Sequence, residues 1–442
     1  MKKIIFLGLF LSVVFGLSAQ TISLERAREL ALANSRSLAR YELAIRSSVL
    51  DERNQLYSML PSVSAGYNAS MDYLRDWNFL NPVDTFSAGA SLSITQIIFQ
   101  GGKSFIQKAI SAIATESVRK DALAEYFNVL DSADNAYYAA LEALAALEAE
   151  ESSTQAASLA LSIAQIRRES GMINQGDYLK ALADMEAREI SRNQARRNLS
   201  LNMAKLKVLL GITDNVEPQQ IDFNAYEEVL LRLSGISDEE ADALFENFWN
   251  VLVTANPSLA KAALNSERAE RNFSVARRDY APTITVTAFS NGLNYSTANG
   301  FNTTSSGGVT LRGNIPVDFW ILNNRIERSK IALASAELDY ANTESSLEME
   351  LQTALLNALS QAGTVLSSRR SLEYTEEHFE YVMERYRLLQ SSVSEVSEAS
   401  TLLINSRNTR IRASYAFLQS LSRLRSLCAL DEEKLINMLM GD

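Results

Sequence analysis

The sequence predicts a mixed fold of very long α-helices and a few transmembrane-type β-strands, built as a duplicated half-molecule. Three observations carry this. The first is a long internal repeat: NSRSLA (34–39), LPSVSAGYNA (60–69) and GGKSFIQKAI (101–110) return as NPSLA (256–260), APTITVTAFS (281–290) and NNRIERSKIAL (323–333), about 220 positions on. Leu38 precedes Pro61 by 23 residues, as Leu259 precedes Pro282. A period this long duplicates half a molecule and is not a solenoid unit. The second is a shortage of breakers, 6 Pro and 17 Gly in 442 residues, which predicts long uninterrupted elements. The third is a two-residue hydrophobic period after Pro61 and Pro282, against a heptad period in the stretches that follow.

At the N-terminus Lys2 and Lys3 precede an apolar run from Ile4 to Leu17 and small residues at Ser18 and Ala19. This is the layout of an export signal over 1–19, and the run is too short to span a bilayer comfortably. No cysteine stands at its end, so a lipid anchor there is not expected. The one cysteine, Cys428, reads as a buried small apolar residue. The formal charge of −11 becomes more negative once Lys2 and Lys3 leave, which argues against nucleic acid as a partner. The single histidine, His378, sits in EEHFEY and reads as a solvated surface residue. No HExxH, GxSxG, CxxC or phosphate-loop pattern occurs at a plausible position, so neither an enzyme nor a bound cofactor or metal is expected.

From Lys103 to about Arg168 there is no proline or glycine. Leu123, Leu130, Tyr137 and Leu144 form one heptad track, and Tyr126, Ala133, Ala140 and Leu147 another. At about 1.5 Å per residue such a helix is roughly 100 Å long, and a rod of that length needs neighbours along all of it. The counterpart from Arg325 to about Leu388 carries Leu351, Ala358, Val365 and Leu372 seven apart. Each long helix meets a break and a further helix, giving two helical hairpins whose tips lie in RRESGMINQGD (167–177) and RYRLLQSSVSE (385–395). By spacing alone each tip is simply a polar turn.

In 61–73 the odd positions Val63, Ala65, Tyr67, Ala69, Met71 and Tyr73 are apolar between polar neighbours, and Ala88, Ala90, Leu92 and Ile94 alternate with Ser87, Gly89, Ser91 and Ser93. In the second copy Ile284, Val286 and Ala288 alternate with threonines, and Val309, Leu311, Ile315 and Val317 with polar residues. Period and length suit membrane strands, although a half-buried soluble hairpin fits the alternation equally. Arithmetic separates the two readings. Four strands cannot close a barrel and an open edge cannot face lipid, whereas three copies give twelve strands and pack the long hairpins into one cylinder.

Taken together, the repeat, ISLERARELALANS (22–35), LPSVS (60–64), QIIFQGGK (96–103) and the two tips resemble the TolC-type outer-membrane efflux proteins over essentially the whole chain after the signal. The resemblance implies a homotrimer with a 12-stranded β-barrel in the outer membrane, in contact with its lipid, continuous with a long periplasmic α-helical barrel. It implies the exit duct of a tripartite efflux pump or type I secretion system, passively conducting substrates and docked on a periplasmic adaptor that reaches an inner-membrane transporter. Its parts would be a signal peptide (1–19), an N-terminal helical segment (20–60), a strand pair (61–100), a hairpin (101–210) and an equatorial segment (211–255). The second repeat would give a helix (256–281), a strand pair (282–320), a hairpin (321–430) and a C-terminal equatorial tail (431–442). Within 211–255, Ser237 with Glu240 three later predicts a capped helix near 238–255.

Carried over residue by residue, Arg167 and Gly171 match the family's Arg-x-x-x-Gly turn, Asp177 falls on its acidic position and Tyr386 on a gating tyrosine. Adaptor docking would involve Arg167, Gly171, Met172 and Asn174 of the first tip and Leu389, Gln390, Ser391 and Ser392 of the second. Glu395 and Glu398 fall where acidic residues ring the narrow end, where three copies would favour cations. Their i, i+3 spacing puts both on one helix face without saying whether it is the pore or the outer face. Leu389 replaces the usual tip glycine and Ser391 an arginine of the gating network, departures that touch the lock rather than the ring. A periplasmic coiled-coil adaptor or a structural coiled coil would explain the heptads but not the paired alternating strands.

Overall fold

The computed structural model describes residues 20–74, 83–214, 216–296, 300–302 and 306–441. The signal peptide expected over 1–19 lies outside these, as do most of the turns expected between the paired strands. In chain order the elements are β1 (Gln20–Ile22), α1 (Leu24–Asn34), α2 (Arg36–Tyr57), β2 (Ser62–Leu74), β3 (Val83–Phe99), α3 (Lys103–Glu169) and α4 (Gln175–Leu210). There follow β4 (Val216–Pro218), α5 (Glu227–Ser234), α6 (Asp238–Ala255), α7 (Pro257–Arg277), β5 (Thr283–Ser296), β6 (Gly300–Asn302) and β7 (Ser306–Asn314). The chain closes with α8 (Phe319–Arg387), α9 (Val393–Cys428) and α10 (Glu432–Met440). Among the described residues no helix is long and apolar enough to cross a membrane, which says nothing of the strands. The chain divides into two compact units.

One unit comprises residues 37–125 and 253–349 and holds an antiparallel sheet in the order β2, β3, β5, with β6 and β7 both on the far edge of β5. The β2–β3 register sets Val63 opposite Ile94, Ala65 opposite Leu92 and Tyr67 opposite Ala90, so the apolar series share one face. On the other face hydroxyls meet, Ser64 with Ser93 and Ser70 with Ser87, both at 2.7 Å. Across β5 and β7, Ala288 faces Val309 and Val286 faces Leu311, while Thr287 faces Thr310. Apolar side chains here stay exposed, Tyr67 at 92%. The sheet is therefore two-faced without covering its own apolar face, and β2 and β7 end it as unpaired edges among the described residues.

Two expectations for the second strand pair are corrected. Ile315 and Val317 lie beyond β7, which stops at Asn314, because Pro316 has no N–H to give the ladder. The helix expected from Arg325 already begins at Phe319, with Asp318 O accepting from Ile321 N and Leu322 N. The first copy turns differently: Gly101 and Gly102 take φ of +69° and +74°, and a Cβ on Gly101 would come within 2.5 Å of that of Ala281. Asp279 ties both strand-to-helix junctions, accepting from Lys103 Nζ at 2.6 Å and Arg325 Nη1 at 2.7 Å. Lys103 and Arg325 are repeat equivalents, so one carboxylate serves both copies.

The other unit comprises residues up to 36, 126–252 and 350–442. Its helices bury Ala133, Tyr137 and Ala140 of α3 and Leu351, Ala358, Val365 and Leu372 of α8, four of them on the predicted α8 track. Strands β1 and β4 pair in parallel, and the Tyr137 hydroxyl sits at 2.9 Å from Ile22 O and 2.8 Å from Gln219 O, pinning that pair to α3. Asp134 is fully buried and held by Arg28 Nε and Nη2 at 2.6 and 3.0 Å, by Arg425 Nη2 at 2.7 Å and by Ser422 Oγ at 2.9 Å. Burial would raise the Glu432 carboxyl, but Arg28, Tyr226 and Arg425 outweigh it and hold it below the usual range. This network joins α1, α3, α9 and α10, and truncating one member would strand buried charge. Ser237 and Glu240 form the capping pair expected before α6. Burial pushes the Cys428 thiol up to about 12, which leaves it a poor nucleophile.

Candidate functional site at the hairpin tips

Both tips belong to the second unit described and are closed by the same device. Helix α3 ends with Gly171 N bonded to Arg168 O and Met172 N to Arg167 O, around Gly171 at φ +71°. Helix α8 ends with Leu389 N bonded to Tyr386 O and Gln390 N to Arg385 O, around Leu389 at φ +66°. Each is a Schellman closure, whose left-handed residue satisfies the last helical carbonyls. A Cβ on Gly171 would meet nothing within 4 Å, so only backbone conformation favours glycine there. The leucine takes the same conformation at a cost of about 1–2 kcal/mol.

The helices that leave the tips are capped in parallel ways. Asn174 Oδ1 accepts from Asp177 N at 2.8 Å at the start of α4. Ser392 Oγ accepts from Glu395 N at 3.2 Å, and Glu395 Oε1 accepts in return from Ser392 N at 3.4 Å, a complete capping box. Glu395 Oε2 also lies 3.6 Å from Arg385 Nη1. Glu395 and Glu398 are both exposed, on the side of α9 away from the buried Val393, Val396 and Ala399.

Arg167 joins the tips. Its Nη2 donates to Tyr386 O at 2.6 Å, its Nη1 reaches Ser391 O at 3.4 Å, and its guanidinium lies 4.2 Å from the centroid of the Tyr386 ring. The cation thus sits at the carbonyl end of α8, where the helix dipole favours it. Arg167 is only 6% exposed and Ser391 only 9%, which corrects their expected place on a docking surface: their hydrogen bonds run inside the chain, and Arg167 Nε is buried without a partner among the described residues. Ser391 Oγ donates to Val382 O at 3.2 Å. Met172, Asn174, Leu389, Gln390 and Ser392 remain exposed, as does Gly171.

Tyr386 is fully buried beneath Arg167, among Val382, Val393 and Val396. Burial raises its pKa, opposed by the charge of Arg167 and assisted by that of Asp177. Its hydroxyl makes no hydrogen bond of good geometry, and none joins it to Asp177 among the described residues. The tip therefore assembles Arg167, Tyr386 and Ser391, while the Asp177 carboxylate, close enough for its charge to act on Tyr386, makes no hydrogen bond to them among the described residues. Sequence reasoning missed that Arg167 crosses between tips; the signal available was the missing arginine at Ser391 together with a basic residue in the last turn of α3.

The fold is shared with solved outer-membrane channels. The chain is 16% identical to the CmeC outer membrane channel of Campylobacter jejuni, over 94% of this chain and 89% of that one, with a TM-score of 0.78. For CusC the identity is 16%, the coverage 96% of each chain and the TM-score 0.79. For the outer membrane protein VceC of Vibrio cholerae they are 15%, 91% of this chain, 95% of that chain and 0.72. No curated protein sequence matches significantly. The sequence matches the family described as outer membrane efflux protein over residues 27–212 and 250–429, two segments that each contain one long hairpin with its tip and one strand pair. Those segments are the two halves of the duplication, and the chain belongs to the outer membrane efflux protein family, an outer-membrane duct and not an enzyme.

Proposed function

We propose that this duct is the exit stage of a tripartite efflux pump or a type I secretion system, working as a homotrimer that passively conducts substrates outward. The observation that supports it best is the sheet, with an exposed apolar face, a hydroxyl-lined face and open edges at β2 and β7. Pairing β2 of one copy with β7 of the next satisfies the edges and closes twelve strands, with the hydroxyl face toward water. The long helices then form a periplasmic barrel. Met172, Leu389, Gln390 and Ser392 offer an exposed surface to a periplasmic adaptor, and through it to an inner-membrane transporter. Gly171, Asn174, Arg167 and Ser391 shape that surface. Glu395 and Glu398 line the narrow end and favour cations, while Asp177 and Tyr386 act in its gating.

The test is single-channel recording of the purified protein in planar bilayers, for wild type and for Glu395→Gln with Glu398→Gln. Cation-selective pores from a trimer, with selectivity lost in the double variant, support the duct and the carboxylate ring together. Pores whose selectivity is unchanged remove the glutamates from the lumen. A soluble monomer that never inserts sinks the whole reading.

A further inference from the structure

A single hydroxyl stands between two carboxylates where α3 meets α9. Ser422 Oγ lies 3.0 Å from Asp131 Oδ1 and 2.9 Å from Asp134 Oδ2. A serine hydroxyl has one hydrogen to give and two lone pairs to receive with, whereas an ionised carboxylate only accepts. With both aspartates charged, that one hydrogen would have to serve two like charges in a packed interior. The other partners of the two aspartates show which of them holds the charge. Asp134 is fully buried and accepts from Arg28 Nε at 2.6 Å and Arg425 Nη2 at 2.7 Å. Asp131 is half-buried and makes no other hydrogen bond among the described residues. Arg423, which follows Ser422 on α9, is bonded instead to Glu350 of α8.

We propose that Asp131, Ser422 and Asp134 form a proton-dependent tie between α3 and α9, in which a neutral Asp131 carboxyl donates to Ser422 Oγ and the Ser422 hydrogen goes to the Asp134 carboxylate. Each hydrogen then has its own acceptor, and the two bonds run in one direction, which strengthens both. The charges facing Asp131 are Asp134 on its own helix and Arg423 and Arg425 on α9. Behind them, Glu350 of α8 holds Arg423, and Arg28 of α1 and Glu432 of α10 stand next to Asp134. Burial raises the Asp131 carboxyl and the Asp134 charge adds to it, against Arg423, Arg425 and any bond donated by Ser422. Once Asp131 loses its proton, its half-buried side chain is free to turn toward Arg423 and water, and α3 and α9 lose one of the bonds between them. Helix α3 ends at the first tip and α9 begins at the second, so the proton acts on helices that run to both tips.

Infrared spectra of the purified full chain in heavy water, wild type minus Asp131→Asn, isolate this carboxyl, because other acids that hold a proton, such as Glu142, which burial also raises, cancel in the difference. The expected result is one protonated-carboxyl C=O band at about pH 5, well above the ordinary aspartate value of about 3.9, fading as pH rises. Ser422→Ala should move that fading to lower pH, because the neutral acid loses its acceptor. A carboxyl raised by folding contributes most stability below its unfolded value and loses that contribution as pH rises through its folded value. The thermal midpoint of wild type should therefore fall between about pH 4 and about pH 7 relative to that of Asp131→Asn, whose amide donates to Ser422 at every pH. No band at about pH 5 would overturn the tie. So would a band that Ser422→Ala moves to higher pH, the result for a hydroxyl that donates to an ionised Asp131. If Asp131→Asn does not fold, wild type against Ser422→Ala decides by the same direction of shift.

Discussion

The two tips reach one backbone shape with different residues. Gly171 and Leu389 both take the left-handed turn, and Asn174 and Ser392 both cap the next helix. They differ in the carboxylate three residues after the cap. Glu395 reaches back to Ser392 N, whereas Asp177, one methylene shorter, only donates its backbone N–H to Asn174. They differ also in direction, since Arg167 of the first tip supplies donors and the second tip supplies the carbonyls of Tyr386 and Ser391. The shape is set by closing hydrogen bonds, and the side chains decide which tip holds and which is held.

The largest effect should come from Arg167→Ala, which breaks that one-way link. It leaves Tyr386 O short of a buried donor and removes the cation from a desolvated ring, at about 3 kcal/mol. Amide exchange over 386–392 in reconstituted protein should accelerate by about a hundredfold, at 1.4 kcal/mol per tenfold, while 171–177 changes little. Arg167→Lys keeps charge but not the fork and should recover only part. Equal acceleration in both tips would mean that the link is mutual and would break the comparison.

Much of this was legible in the sequence. The alternating series predicted which side chains would share a sheet face, and the register pairs Val63 with Ile94 and Val286 with Leu311 because a period of two leaves no other choice. The α8 heptad track is buried, but Leu123 and Tyr126 on the α3 tracks are exposed within one chain. A heptad says that a face needs covering, not that the same chain covers it. Ser392 and Glu395 spelled a capping box, yet the resemblance drew Glu395 toward the pore alone. The buried Asp134 network and the Asp279 junction were not legible, because the partners that hydrogen-bond in them lie from 46 to 404 residues apart and share no local period.

A smaller effect tests the turn residues. Gly171→Leu should destabilise the first tip by about 1–2 kcal/mol, the cost of a left-handed Cβ, since a Cβ there meets nothing within 4 Å. Leu389→Gly should gain only about 0.5–1 kcal/mol, because relief of the same strain is offset by the entropy of an unfolded glycine. Local exchange rates at residues 171 and 389 in the two variants measure both. Equal and opposite changes would show that the tips are interchangeable scaffolds. A loss on Leu389→Gly would show instead that this leucine, already half-exposed, is held by contacts that the second tip needs.

The smallest effects concern the caps, and they separate charge from geometry. Asn174→Ala removes one hydrogen bond and should cost α4 about 1 kcal/mol; Ser392→Ala removes the acceptor for Glu395 N and should cost α9 slightly more, because the reciprocal bond loses its anchor. Glu395→Gln keeps an acceptor at the same reach and should cost only a few tenths of a kcal/mol, mostly from the lost interaction with Arg385 and the helix dipole. Exchange protection in the first turns of α4 and α9 reads all three. If Glu395→Gln costs as much as Ser392→Ala, the second tip is held by charge and the parallel with Asn174 fails. If it costs little, the glutamate can fill its cap and still present a negative charge to whatever passes its exposed face.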